Sequence, residues 1–180
     1  MAYNKTNTFE YETLMHIFAN AAITGIGDSS GLPASSTEGS IYIGLLKDTI
    51  DEEQGTPVAG VFPEEADYTG YARVAVPRNT SAGWTITKSS VTTGGVPDND
   101  TETTSGALCT NKAAITFAPC TSGTSTITHI GIFKRSISET NSAGNNAGDL
   151  IIAGKLNTAL AVSSGVTPQF AINAIQIYEY

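Results

Sequence analysis

Between residues 9 and 22 the apolar side chains recur at helical spacing, with Leu14, Ile17, Phe18, Ala21 and Ala22 following the i, i+3, i+4, i+7 pattern. The spacing predicts an amphipathic helix from Phe9 to Ala22. Asn7 or Thr8 can cap its start, Glu10 and Glu12 suit the positive end of its dipole, and Gly25 and Gly27 supply its stop. Past a Ser/Gly/Pro loop that runs through Ser40 the period shortens. Ile41 to Leu46 is a brief apolar run and reads as a buried strand. Tyr71 to Val76 alternates, placing Ala72, Val74 and Val76 on one face and Tyr71 and Arg73 on the other, until Pro77 ends it. Trp84 and Ile86 share a face of the next short strand. Further strands are predicted at Ala114 to Phe117, Thr126 to Phe133, Leu150 to Leu156 and Gln169 to Tyr180. In the last, Phe170 and Ile172 have one parity and Ile175 and Ile177 the other, which a bulge near Asn173 and Ala174 would reconcile.

Short strands separated by turns, with no βαβ alternation after residue 25, predict a mainly β protein. The expected architecture is an antiparallel β-sandwich, Ig-like or jelly-roll-like, behind a short N-terminal helix. One domain over residues 1–180 is expected, with 1–25 as N-terminal arm and helix and 41–180 as the sandwich. Two polar stretches interrupt the strands. Lys88 to Thr110 reads as a long exposed excursion, and Ser136 to Gly148 as a connection between two strands.

Composition sharpens this picture. The chain has 180 residues, of which 14% are charged, and 25 Thr, 16 Ser and 18 Gly replace the missing charge, a mixture suited to strands and turns. A net charge of −8 leaves no cationic surface to neutralise phosphates, so nucleic acid is not an expected partner. No stretch approaches the ~20 consecutive apolar residues of a membrane span, and Met1 to Thr6 lacks the apolar region of a signal peptide. The expectation is a protein made in a cytoplasm, in which the sequons at Asn4, Asn79 and Asn99 are chance products of a Thr-rich chain.

Candidate chemistry is sparse. Cys109 and Cys120 could pair across strands but read better as reduced, partly buried thiols in that compartment. With His16 and His129 they offer no zinc-like spacing, so neither a metal nor a cofactor is expected. Seven acids between Asp48 and Asp67 (Asp48, Asp51, Glu52, Glu53, Glu64, Glu65 and Asp67) occur without a Lys or Arg and read as a solvated loop. They lack the alternation of an EF-hand loop and the rigid paired setting of glycosidase carboxylates. His16 lies off the helix stripe, four residues after Glu12, and reads as a solvated surface histidine. His129, in a strand apolar at both parities, reads as half buried and satisfied by a backbone or hydroxyl partner. Gly27-Asp28-Ser29-Ser30-Gly31 satisfies G-x-S-x-G, but a helix precedes it and Leu32-Pro33 opens a loop, the reverse of a nucleophile elbow. No catalytic residue is expected.

Several elements, in order, resemble a family of small bacteriophage virion proteins labelled tail or tail-fibre proteins. The resemblance runs from the N-terminal helix and Ile41-Tyr42-Ile43-Gly44-Leu45 through Gly70-Tyr71-Ala72-Arg73-Val74 and Ile115-Thr116-Phe117. It continues with Thr126 to Phe133, Gly148 to Leu156 and an ending over Val162 to Ile177. The resemblance implies a non-enzymatic virion subunit of the tail, collar, baseplate or tail fibre, whose partners are identical subunits and other virion proteins. A low-charge Thr/Ser/Gly surface imposes little charge desolvation on such contacts. Candidate interface residues are Tyr3, Phe9, Tyr71, Arg73, Tyr178 and Tyr180. A capsid decoration or cement protein would share this composition. A third alternative is a sandwich that binds host-surface glycans through Tyr42, Trp84 or loop residues; burial of Trp84 would remove its best anchor.

Overall fold

A computed structural model describes residues 6–26, 31–49, 62–88, 106–136 and 150–179. The chain is mainly β, antiparallel in every ladder of defined register, with one short helix before the strands. It forms two compact units. One comprises Met1–Gly39, Pro77–Ala114 and Ala171–Tyr180; the other comprises Ser40–Val76 and Ile115–Phe170.

The first unit holds α1 (Asn7–Ala19) and a three-stranded sheet in the order β3-β4-β9, where β3 is Trp84–Lys88, β4 is Ala107–Asn111 and β9 is Gln176–Glu179. Thr6 caps the helix, its Oγ1 accepting from the Phe9 N–H at 3.3 Å. The helix ends earlier than the glycines suggested. Asn20 takes the left-handed conformation at φ 51°, and its side chain exchanges two hydrogen bonds with the backbone of Ser35, at 3.1 and 2.8 Å. Arg78 then donates to the His16 and Ile17 carbonyls at 2.6 and 2.7 Å, supplying a cation where the helix dipole is negative. Leu14 and Phe18 are buried in the unit with Trp84, Cys109 and Ile177, and the Phe18 and Trp84 rings meet edge to face at 4.8 Å.

β4 corrects the expectation of an exposed excursion over Lys88 to Thr110, since residues 107–110 are strand. It is the central strand of this sheet, with Cys109 opposite both Ile86 and Ile177. Its short run of Ala, Leu, Cys, Thr and Asn has no large β-branched signal, and only pairing on both sides makes it a strand. Residues 89–105, the remainder of that excursion, lie outside the described residues.

The second unit carries a four-stranded sheet in the order β2-β1-β6-β7, with β1 Ser40–Leu46, β2 Val74–Pro77, β6 Thr124–Phe133 and β7 Leu150–Ser163. A two-stranded ribbon pairs β5 (Ile115–Thr116) with β8 (Gln169–Phe170). β7 is twice the predicted length because it goes on pairing with β6 as far as Ser163, past a large bulge: Lys155 stands opposite His129 and Leu160 opposite Ile127, leaving Leu156 to Ala159 across from Thr128 alone. The predicted final strand is also divided. A turn over 171–175, with Asn173 at φ 60°, separates β8 from β9, and the two belong to different sheets. The parity change therefore marks a change of sheet, in place of the expected bulge. Asn111, fully buried, holds this turn by accepting from the Ile175 N–H and donating to the Ala171 carbonyl, both at 2.8 Å.

Candidate functional site

The densest polar chemistry among the described residues lies inside the second unit. It begins in a loop that the sequence reading took as solvated. Residues 62–67 run beside β1, where the Ala66 N–H donates to the Leu45 carbonyl at 2.9 Å and Glu65 bridges Leu46. This pairing turns Glu65 inward, and its side chain is fully buried. Arg73, just ahead of β2, is fully buried beside it. Nη2 donates to Glu65 Oε1 at 2.5 Å and Nε donates to Oε2 at 3.0 Å, a two-pronged pair. The remaining lone pairs are filled. Oε1 accepts from the Phe62 N–H at 3.2 Å, and Oε2 accepts from the Tyr71 hydroxyl at 2.8 Å. That hydroxyl itself accepts from the Leu45 N–H at 3.1 Å, and Arg73 Nη1 donates to the Arg135 carbonyl at 3.0 Å.

An aromatic wall completes the site. The Arg73 guanidinium lies 3.7 Å from the centroid of the Phe133 ring, whose neighbour Phe62 is 5.8 Å away, centroid to centroid. Burial, followed by the charge of Glu65 and the hydrogen bond to it, pushes the Tyr71 phenol well above its usual range, so Tyr71 stays a donor. Each acidic oxygen here already accepts two hydrogen bonds. The arrangement can fix backbone and exclude water; it presents neither a nucleophile nor a proton donor to an incoming molecule.

The candidate interface residues divide. Phe9 and Tyr178 are exposed, and the Tyr178 hydroxyl donates to Gln176 Oε1 at 2.9 Å. Tyr71, half buried, and Arg73, buried, are members of the internal network. Tyr3 and Tyr180 lie outside the described residues, as do Ser29, Asp51, Glu52 and Glu53.

The remaining candidates have structural partners. His129 is half buried, with Nδ1 2.8 Å from the Thr128 hydroxyl. His16 is also half buried, where a solvated side chain was expected, and its Nδ1–H donates to the Ala21 carbonyl at 2.8 Å. Asn79 sits in a turn, its Oδ1 accepting from the Ser81 hydroxyl and from the N–H groups of Ala82 and Gly83. Asp67, exposed, accepts from Lys47 and from the Ser125 hydroxyl, each at 2.9 Å. Both cysteines are free and buried, and desolvation pushes the Cys109 thiol up to about 12. Among the described residues no group of three His, Cys, Asp or Glu side chains is placed to hold a metal ion, and no helix is long and apolar enough to cross a membrane. Trp84 is wholly buried, and Tyr42 packs against the cluster of Leu46, Phe62 and Phe133.

The family described as podophage GP4 fiber I protein gp80 matches residues 33–178, most of the chain. The chain belongs to this phage fibre family. It is a structural protein of the tail-fibre kind and a component of virions. The matched region opens beyond α1 and contains every strand except the last residue of β9. No curated protein matches the chain. Sequence reasoning missed the part of this fibre protein that most organises its second unit. One Glu among seven acids and one Arg eight residues later give no periodic signal; the available clue is that Arg73 falls in an alternating segment that opens on Tyr71.

Proposed function

We propose that the chain is a non-enzymatic subunit of the fibre, working through contacts with identical copies and with other virion proteins in a symmetric assembly. The observation that carries this reading is the internal use of the polar residues: the Glu65 and Arg73 side chains, wholly buried, hold backbone at Phe62 and Arg135. A scaffold of this kind offers shape to a partner. Phe9 and Tyr178 are the proposed contact residues among those described, with Tyr3 and Tyr180 beside them in sequence. The chain is assembled in the bacterial cytoplasm and acts as one sandwich-type domain.

Fibre membership favours a tail position over the capsid-decoration alternative. The glycan-binding alternative loses its principal anchor, because a wholly buried Trp84 cannot stack on a sugar. Electron microscopy of virions labelled through a tag on this chain tests the reading. Label on the tail appendages is expected, and label confined to the capsid lattice would overturn it.

A further inference from the structure

We infer that Glu65 and Arg73 make two separate points of the second unit, Phe62 and Arg135, open and close as one. These residues are 73 positions apart in sequence, yet a single chain of hydrogen bonds joins them: Phe62 N–H to Glu65, Glu65 to Arg73, and Arg73 to the Arg135 carbonyl. The links from Phe62 through Glu65 to Arg73 are buried with both charged side chains, and the bond to Arg135 is part buried. A second, apolar path runs parallel to it. Phe62 touches the Phe133 ring, and Phe133 carries Arg73 on its face and lies two residues before Arg135. Groups that share one hydrogen-bond network show coupled energetics, whereas independent loop ends would not.

The coupling has a direction in both senses. Whatever fixes the backbone at Phe62 stabilises the arrangement at Arg135, and the reverse holds by the same amount. Phe62 follows segment 50–61 and Arg135 precedes segment 137–149, so a partner gripping the chain near either end biases the other. The inference rests on the geometry of the second unit and does not depend on a place in the fibre.

Native-state hydrogen exchange on the full chain tests it. In wild-type protein under increasing, sub-denaturing urea, peptides covering 62–66 and 131–136 are expected to merge onto one opening isotherm below that of β6 residues 124–130. Arg73→Lys keeps the charge but cannot reach Glu65 twice and Arg135 as well. Exchange should rise at both ends together, by about a hundredfold, the scale of losing one partner of a buried pair. Ile127→Val, in the same core but outside the network, is the control and should not single out these peptides. Faster exchange at 131–136 with 62–66 unchanged, or two distinct isotherms in the wild type, would overturn the inference. The wild-type isotherms decide the matter even if Arg73→Lys does not fold.

Discussion

Gly44 stands directly across the β1–β6 ladder from Gly131, and the ring of Phe133 occupies the space that two Cβ atoms would fill. A Cβ on Gly131 would come within 2.5 Å of the ring, and one on Gly44 within 2.6 Å of it and 3.0 Å of the Tyr71 hydroxyl. The glycine pair thus leaves room for the Phe133 ring, which also carries the Arg73 guanidinium. Gly131→Ala should displace the ring and cost about 1–3 kcal/mol, the usual penalty of overpacking. Urea denaturation checks this: the midpoint should fall with the m-value unchanged.

Removing one member of the buried pair should be more damaging than removing both. Glu65→Leu or Arg73→Met leaves its charged partner stranded in the interior, at a cost of about 3–5 kcal/mol each. The double substitution Glu65→Leu/Arg73→Met should cost much less than the sum of the two single changes, because no uncompensated charge remains. A double-mutant cycle by equilibrium unfolding measures the difference, and additive losses would count against the network.

Trp84 reports the first unit. It is 0% exposed, and among the described residues its Nε1–H has no hydrogen-bond partner. Its fluorescence should be blue-shifted, resist quenching by iodide and stay unchanged when neutral or acidic oligosaccharides are added. Trp84→Phe forfeits packing volume without breaking a hydrogen bond. It should therefore cost less than the ~3–5 kcal/mol of a Trp→Ala truncation.

The two thiols sit one in each unit, Cys109 in the first and Cys120 in the second, both buried. Neither should react with a thiol reagent in the native protein at pH 8, Cys109 least of all because burial pushes its thiol up to about 12. If the chain unfolds as one domain, both thiols become reactive over the same urea interval. Mass spectrometry of pulse-labelled protein resolves them, and separate midpoints would refute the single domain.

Asp67 sets a small acid sensitivity. Its hydrogen bond from Lys47, aided by that from Ser125, holds the folded carboxyl below its usual range. A depressed folded value means stability that is present above the unfolded pKa and lost as the pH falls through the folded one. Asp67→Asn should flatten the stability profile below about pH 4. The change should stay under about 1 kcal/mol and shrink further in salt, since the pair is exposed.

Element class and approximate position were legible in the sequence wherever periodicity alone decides them. Leu14 and Phe18 announce a helix, and Ile41 to Leu46 and Thr126 to Phe133 announce strands, because side-chain spacing follows local backbone geometry. The half-buried His129 with a hydroxyl partner was readable in the same way. Partners were not. Whether Glu65 meets water or Arg73 depends on residues 62–67 lying beside β1. That Ala107 to Asn111 forms a strand depends on β3 and β9 flanking it. That Gly44 and Gly131 are indispensable depends on a ring delivered from β6. Spacing along the chain fixed which residues could be apolar faces; only chain-distant packing decided which polar groups lost their water, because desolvation is a property of the folded neighbourhood and not of the local sequence.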